Sequence, residues 1–216
     1  MLDSDLIKFN LDKCKFLTWD LETESLNTCL ARPWQLGFQV YHGTKLVEEK
    51  EVYIKWSDLN VSKGAAEATR FDKNKVELYG REPKEVLDRF NKYLYNPEYK
   101  ILGHNILGYD SLIHNIWMND LGYKTDYSYI DRIYDTLPLS RAYKANFKIP
   151  EDKKDFLAFQ YRLLAYHPKG LKATNSVMAK EFGFDVVEDK LHNSAVYDAT
   201  LTSFTFFNLI KKLDIQ

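Results

Sequence analysis

Acidic side chains interrupt the apolar runs of this chain in three separate places, and acids in such positions restrict how the chain can fold. The four residues are Asp20, Glu22, Asp110 and Asp198. The first two lie in Phe16-Leu-Thr-Trp-Asp-Leu-Glu-Thr23, which otherwise reads as a buried strand. A carboxylate beside buried sequence is costly unless a positive charge compensates it, and carboxylates that converge repel one another. The pattern therefore predicts a divalent cation bound between them.

The spacing of the first two acids favours this prediction. Side chains two positions apart on a strand point to the same face, so Asp20 and Glu22 would lie side by side. Magnesium typically binds one or two carboxylates together with waters and substrate phosphate oxygens. Simpler interpretations exist for each acid alone. Asp20 and Glu22 could be a solvated pair at a strand end, and Asp110 and Asp198 could be first-turn acids of helices.

Composition and charge limit the classes of protein that fit. The chain has 216 residues, 45% of them hydrophobic and 28% charged, which predicts one globular domain over residues 1–216. A net charge of −1 argues against a protein that coats long stretches of nucleic acid by overall attraction. A local basic rim and a solvated charged loop are equally open interpretations of one lysine-rich region, whose members are Lys144, Lys148, Lys153, Lys154, Lys169 and Lys172.

The chain carries no sign of a membrane or secretory protein. No hydrophobic run approaches membrane-spanning length, and the N-terminus lacks a signal-peptide pattern. Cys14 and Cys29 allow at most one bridge and do not have zinc-site spacing. We therefore expect a cytoplasmic protein without a membrane partner.

Hydrophobic periodicity predicts an α/β fold. An antiparallel meander comes first, with strands at residues 15–20, 34–42 and 50–56. Helices and further strands then follow. The predicted helices are residues 83–94, 108–120, 171–182 and 195–213, and the predicted strands are residues 100–103 and 129–134. We expect a mixed β-sheet, antiparallel in the meander and parallel beyond it, flanked by helices. Residues 144–168 are lysine-rich, and we expect an irregular inserted or mobile segment there.

Three short motifs together resemble the DEDD (DnaQ-like) superfamily of 3'→5' exonucleases, which includes proofreading exonucleases, RNase T and oligoribonuclease. The first motif is similar to Asp20-Leu-Glu22-Thr23, and the second is similar to Asn105-Ile-Leu-Gly-Tyr109-Asp110. The third, a His shortly before an Asp at the start of the last helix, is similar to His192 and Asp198, which indicates the histidine branch. Each motif alone is common, but in this order they cover nearly the whole chain.

The resemblance implies a ribonuclease-H-like fold and hydrolysis of phosphodiesters with two Mg²⁺ or Mn²⁺ ions. Asp20 would be shared by both ions. Glu22 and Asp198 would complete the first site, and Asp110 would act on the second ion through water. His192 would accept the proton of the attacking water.

The resemblance also implies substrate contacts close to the motifs. The backbone around Thr23 and the side chain of Leu26 would hold the terminal nucleotide. Asn105 and Tyr109 are further candidates. Each has an alternative, because Asn105 could instead brace its loop and Tyr109 could be a core residue.

One departure from the family concerns the general base. Four residues usually separate the His from the last Asp, whereas five separate His192 from Asp198, and Asn193 stands at the usual position. A one-residue bulge before the helix would bring His192 to the metals. Otherwise the chain would be a weak or inactive nuclease.

We therefore expect a metal-dependent 3'→5' exonuclease that converts single-stranded or frayed 3' ends, with DNA as the expected substrate, to nucleoside 5'-monophosphates. An RNA-directed exonuclease of the RNase T or oligoribonuclease kind is an alternative, because no residue unambiguously reads the 2'-hydroxyl. A non-catalytic nucleic-acid-binding or polymerase-associated module is another. The expected partners are a single-stranded 3' end and a DNA polymerase or other replication or repair protein.

Overall fold

Strand β1 (Lys15–Thr23) is the central strand of a five-stranded sheet. The computed structural model describes residues 7–186 and 194–215. The other strands are β2 (Pro33–His42), β3 (Lys45–Tyr53), β4 (Tyr99–Gly103) and β5 (Ile133–Asp135). Their order is β3-β2-β1-β4-β5, antiparallel among the first three and parallel from β1 to β4 and from β4 to β5. The predicted mixed sheet is confirmed.

Helices flank this sheet. Within the described ranges they are α1 (Lys63–Thr69), α2 (Lys73–Tyr79), α3 (Pro83–Leu94), α4 (Asp110–Asp120), α5 (Thr136–Ala145), α6 (Lys153–Leu164), α7 (Asn175–Glu181) and α8 (Ala195–Lys212). Short 3₁₀ turns occur at Leu11–Lys13 and Ile130–Arg132. None of the helices in the described part of the chain has the length and apolar character needed to cross a membrane.

Alternation along β1 gives each face of the sheet its own core. Trp19 points to one face, where its ring lies 5.1 Å from the ring of Phe90 in α3. Phe16 points to the other face, where its ring lies 5.6 Å from Phe206 in α8. Edge-on aromatic pairs of this kind each contribute about 0.5–1.5 kcal/mol beyond the area they bury. Asp20 is four residues after Phe16 and therefore faces α8.

The structure corrects the sequence-based elements in several places. Residues 144–168 are not irregular throughout, because Phe156, Phe159 and Leu163 lie buried on one side of α6. Helices α1 and α2 were not predicted, since only Val76 among their residues is buried and the apolar pattern is weak. Strand β3 begins at residue 45 rather than at 50. The strand predicted over residues 129–134 is replaced by the shorter β5, Ile133–Asp135, because only these residues pair with β4.

Candidate metal centre

Strand β1 ends in two carboxylates on the same face of the sheet. In the antiparallel pair with β2, Asp20 lies opposite Gly37 and Glu22 lies opposite Gln35. The parallel pairing of β1 with β4 extends only to Thr18, so the carboxyl end of β1 projects beyond β4. The two acids therefore stand where the starts of neighbouring helices can approach the strand.

Gly37 allows the first turn of α8 to lie against β2. A Cβ atom at Gly37 would be 2.1 Å from the Val196 nitrogen and 2.2 Å from the Ala195 carbonyl carbon, so a larger residue does not fit. The Ala195 N–H also donates to Gln35 Oε1 at 3.1 Å, which satisfies one of the free N–H groups of the helix start. These contacts place Asp198, in the first turn of α8, above the end of β1.

Asp20, Glu22 and Asp198 come together at this point. One carboxylate oxygen from each can be chosen so that all three oxygens lie within 4.8 Å of one another. A hard divalent cation binds oxygen ligands at about 2.0–2.6 Å, and a shared ion therefore needs oxygens at such a spacing. The donor type, the number of donors and their spacing all fit Mg²⁺ or Mn²⁺.

Asp110 lies beside this group rather than within it. It begins α4, and its Oδ1 accepts a 3.1 Å hydrogen bond from the N–H of Leu21, the residue between the first two acids. Burial is the main cause that raises the pKa of both Asp20 and Glu22, and the negative charge of Asp110 raises both further. The four predicted acids are thus near one another, and three of them have oxygens close enough to share one ion.

Burial makes the negative charges of these acids unfavourable. It is the main cause that raises the pKa of Glu22 to about 8 and that of Asp198 to about 6. It also raises the pKa of Asp110 to about 8, against the opposing hydrogen bond from Leu21. The pKa of Asp20 lies well above its usual range because of burial and the charges of the other three acids. Cation binding would favour the ionised carboxylates, so it should release protons.

The hydroxyl groups of Thr23 and Tyr109 hold the loop that follows β1. They donate to the carbonyl oxygen of Ser25 at 2.9 and 2.8 Å, and they lie 2.6 Å from each other. Both side chains therefore have a structural role, and the substrate contacts predicted for them stay predictions. Leu26, in the same loop, is 87% exposed, so its side chain is free to contact a ligand.

Asn105 braces the loop between β4 and α4. Its backbone is left-handed (φ 63°), and its N–H donates to the carboxylate of Asp135 at 2.8 Å. That buried carboxylate also accepts hydrogen bonds from the N–H groups of Leu107 and Leu137, at 3.1 and 3.0 Å. Burial nevertheless raises the pKa of Asp135 to about 7. The main chain of Asn105 therefore has the bracing role, while a substrate contact by its side chain stays a prediction.

The predicted general base lies outside the described residues. His192 and Asn193 both fall in the gap between residues 186 and 194, so the choice between them stays a prediction. His104 and His114 are described, and burial lowers the pKa of each to about 3. Their rings contact Thr136 Oγ1 at 2.9 Å and an Asn side chain at 2.9 Å, respectively. Both therefore have structural partners and a pKa too low for efficient proton acceptance near neutral pH.

Sequence reasoning missed three residues that position the acids, namely Gln35, Gly37 and Asn175. The Asn175 side-chain amide donates to the carbonyl oxygen of Asp198 at 3.0 Å and to Thr202 Oγ1 at 2.9 Å, and so ties α7 to the first turns of α8. Gly37 had a usable signal, because a glycine inside an apolar strand often marks a close approach of backbone. The other two are polar residues without a distinguishing pattern.

The comparisons with known proteins give a likeness of fold. No protein-family model matches the sequence, and no curated protein does. Escherichia coli exonuclease I in complex with a dA16 oligonucleotide superposes with a TM-score of 0.71 at 20% identity, covering 92% of this chain and 41% of that one. Its zinc-bound complex with single-stranded DNA gives a TM-score of 0.71 at 18% identity, covering 92% of this chain and 40% of that one.

The metal-free form of the same DNA complex gives a TM-score of 0.69 at 19% identity, again covering 92% of this chain and 40% of the other. The chain thus spans about two fifths of the length of the structures it matches. At this level of identity the likeness shows the fold. The ribonuclease-H-like arrangement expected from the sequence is confirmed.

Proposed function

We propose that this chain is a metal-dependent 3'→5' exonuclease that releases nucleoside 5'-monophosphates from single-stranded or frayed 3' ends. One observation carries the proposal: a carboxylate oxygen of Asp198 lies within 4.8 Å of carboxylate oxygens of Asp20 and Glu22, although Asp198 is distant from both in sequence. The fold shared with exonuclease I, whose structures hold single-stranded DNA, supports it. DNA is therefore the substrate proposed first.

Two Mg²⁺ or Mn²⁺ ions are the cofactors of the proposal. Asp20, Glu22 and Asp198 would bind one ion, Asp20 would also reach the second, and Asp110 would act on the second ion through water. Such ions stabilise the charge that develops on the phosphate oxygens and lower the pKa of bound water. The Leu21 N–H holds the Asp110 carboxylate at the strand, so its orientation does not depend on a ligand.

Side chains near the acids would hold the substrate and move a proton. Leu26, which is 87% exposed, would pack against the terminal base. Thr23 and Tyr109 would position the loop of Leu26 through the Ser25 carbonyl oxygen. His192 would accept the proton of the attacking water, which is worth about 10²–10⁴ in rate for a well-placed base.

End-labelled oligonucleotides test the direction and the metal requirement. Single-stranded DNA, single-stranded RNA and duplex DNA would each carry a label at either the 5' or the 3' end, with Mg²⁺ or with EDTA. We expect stepwise shortening of 5'-labelled single-stranded DNA, immediate mononucleotide release from the 3' label, and no digestion in EDTA. Faster digestion of RNA would favour the RNA-directed alternative. Binding without digestion by the wild-type chain would favour the non-catalytic module.

Variants test the residue assignments. Asp20→Asn and Asp198→Asn should abolish digestion without unfolding the chain, whereas Asp131→Asn, at an exposed acid in the 3₁₀ turn, should not change it. His192→Ala should lower the rate by about 100-fold or more. If Asn193→Ala has that effect and His192→Ala does not, the base is assigned to the wrong residue.

A further inference from the structure

A cavity of about 620 Å³ lies between β2, β3 and α3, on the sheet face opposite the metal centre. Its volume is within the range of ligand sites in proteins, about 300–1,000 Å³. Four cationic side chains line it, namely Lys50, Arg81, Arg89 and Lys92, with Glu51 as the acid in the lining. The cavity therefore favours an anionic ligand.

Aromatic side chains alternate with these cations. Tyr53, Tyr79 and Tyr93 line the same cavity. Tyr79 is 67% exposed at the end of α2, which leaves its ring open to a ligand. Nucleobases stack on such rings with little sequence preference, at about 1–3 kcal/mol per base. Aromatic rings among cations thus suit an anion that carries bases.

A second cavity, of about 280 Å³, shares part of its lining with the first. Glu51 and Tyr53 line both cavities, at the carboxyl end of β3. The second cavity also contains Gln35, which lies opposite Glu22 in the sheet, and Ser194, which caps the helix that carries Asp198. The second cavity therefore lies between the first cavity and residues that neighbour Glu22 and Asp198.

Two more cations, Arg70 and Lys75, line the second cavity, and Asp72 joins Glu51 as an acid there. Neither of these two cations, nor Lys92, has a carboxylate oxygen within 4.0 Å among the residues that the structure describes. Arg81 and Arg89 share a single acid, Glu85, at 3.3 and 2.9 Å, and Lys50 lies 3.7 Å from Glu48. We call the cations of both cavities the basic track, comprising Lys50, Arg70, Lys75, Arg81, Arg89 and Lys92. Its positive charges are only partly neutralised by the protein.

We infer that the basic track is the path of the single-stranded nucleic acid leading away from its 3' end at the metal centre. This inference rests on the proposed function. A single small anion would need only one of the two cavities, whereas a polyanion with bases would contact cations in both. Net charge near zero does not oppose such a path, because only a local set of cations is required.

Substitution of three track cations tests the inference. The track variant is Arg70→Gln with Lys75→Gln and Lys92→Gln. Lys75 and Lys92 are exposed and Arg70 is half-buried, and none of the three has a carboxylate partner among the described residues. The matched control is Lys13→Gln with Lys124→Gln and Lys212→Gln, three exposed lysines with no ion pair among the described residues. Lys13 precedes β1 and Lys212 ends α8, so both are at the opposite end of their elements from the acids.

Binding and KM would be measured with oligonucleotides of about 4 and about 16 nucleotides, the range of site sizes common in single-strand binding. For the longer one, we expect the track variant to bind at least about tenfold more weakly. The slope of log affinity against log salt should become about 2 less steep, since each lost contact removes about 0.7. The loss should be smaller for the short oligonucleotide, and Glu51→Gln should tighten binding of the long one.

The outcomes separate this inference from the proposed function. If the wild-type chain neither binds nor digests either oligonucleotide, both the proposed function and the inferred path are wrong. If the wild-type chain digests both, and the track variant matches the control in affinity, salt slope and length dependence, only the path is wrong. A loss that is equal for both lengths would also overturn the path.

Discussion

Replacement of Gly37 by alanine is the most specific test of how the acids are brought together. In the structure, the added methyl would lie 2.1 Å from the Val196 nitrogen, whereas ordinary contact begins near 3.4 Å. The first turn of α8 would thus have to retreat by about 1.3 Å, the difference between these distances. Asp198 lies in that turn and would move with it, away from Asp20 and Glu22.

The displacement gives two expected magnitudes. Overpacking of this kind costs about 1–3 kcal/mol in the free energy of unfolding. A misplacement of about 1 Å at a catalytic group can lower a rate by about 100-fold. We therefore expect Gly37→Ala to remain folded, to bind Mn²⁺ more weakly, and to lose about two orders of magnitude in oligonucleotide digestion. Urea unfolding, Mn²⁺ titration and initial rates would be measured on the same preparation.

Gly64→Ala is the matched control. Gly64 lies in α1, and a Cβ there would meet no atom within 4 Å. Alanine inside a helix is more favourable than glycine by about 0.5–1 kcal/mol, so this variant should be slightly more stable and fully active. If Gly37→Ala binds Mn²⁺ and digests substrate like Gly64→Ala, close packing at Gly37 does not position the acids.

Three further predictions concern charge. In EDTA, Asp198→Asn should raise the free energy of unfolding, because it removes one of several repelling buried carboxylates; a destabilised variant in urea unfolding would contradict this. Without divalent cations, stability should fall as the pH rises from about 4 to about 8, since the pKa values of Glu22 and Asp110 are raised to about 8 in the folded chain and the unfolded chain releases those protons earlier. Saturating Mg²⁺ should flatten that dependence in unfolding curves taken at successive pH values. If stability without divalent cations instead rises over this pH range, the raised pKa values of Glu22 and Asp110 are wrong. Arg32→Met should lower the free energy of unfolding by about 3–5 kcal/mol, because it leaves the Glu24 carboxylate buried without its cation. That residue is 7% exposed and its carboxylate lies 2.9 Å from the Arg32 guanidinium. If the pair contributed little, thermal unfolding would show a change below about 1 kcal/mol.

Much of the fold follows from patterns visible in the sequence. Helix α3 has the predicted bounds, Pro83–Leu94, because a proline at its start and apolar residues at helical spacing leave little choice. Helix α8 differs from the prediction by one residue at its end. By contrast, α1 and α2 were missed because they are short and mostly exposed, so their sequences lack an apolar face.

The acids of the candidate site could be predicted from the sequence, whereas the residues that position them could not. Asp20 and Glu22 could be placed on one face from the two-residue period of a strand, and the structure puts them there. Asp198 lies close to these two acids because β1 pairs with β2 and because Gly37 of β2 contacts the start of α8. Such contacts between distant segments have no local sequence period. The predicted base, His192, lies outside the described residues and stays a prediction.

A calorimetric titration of Mn²⁺ into the wild-type chain and into Asp20→Asn tests the central claim most directly. That claim is that buried carboxylates from β1 and α8 form a divalent-cation site. We predict that the wild-type chain binds Mn²⁺ with release of protons, seen as a heat that depends on the ionisation enthalpy of the buffer, because the pKa values of the acids are raised. Asp20→Asn should lose this binding. No binding by the wild-type chain, or equal binding by the variant, would contradict the account.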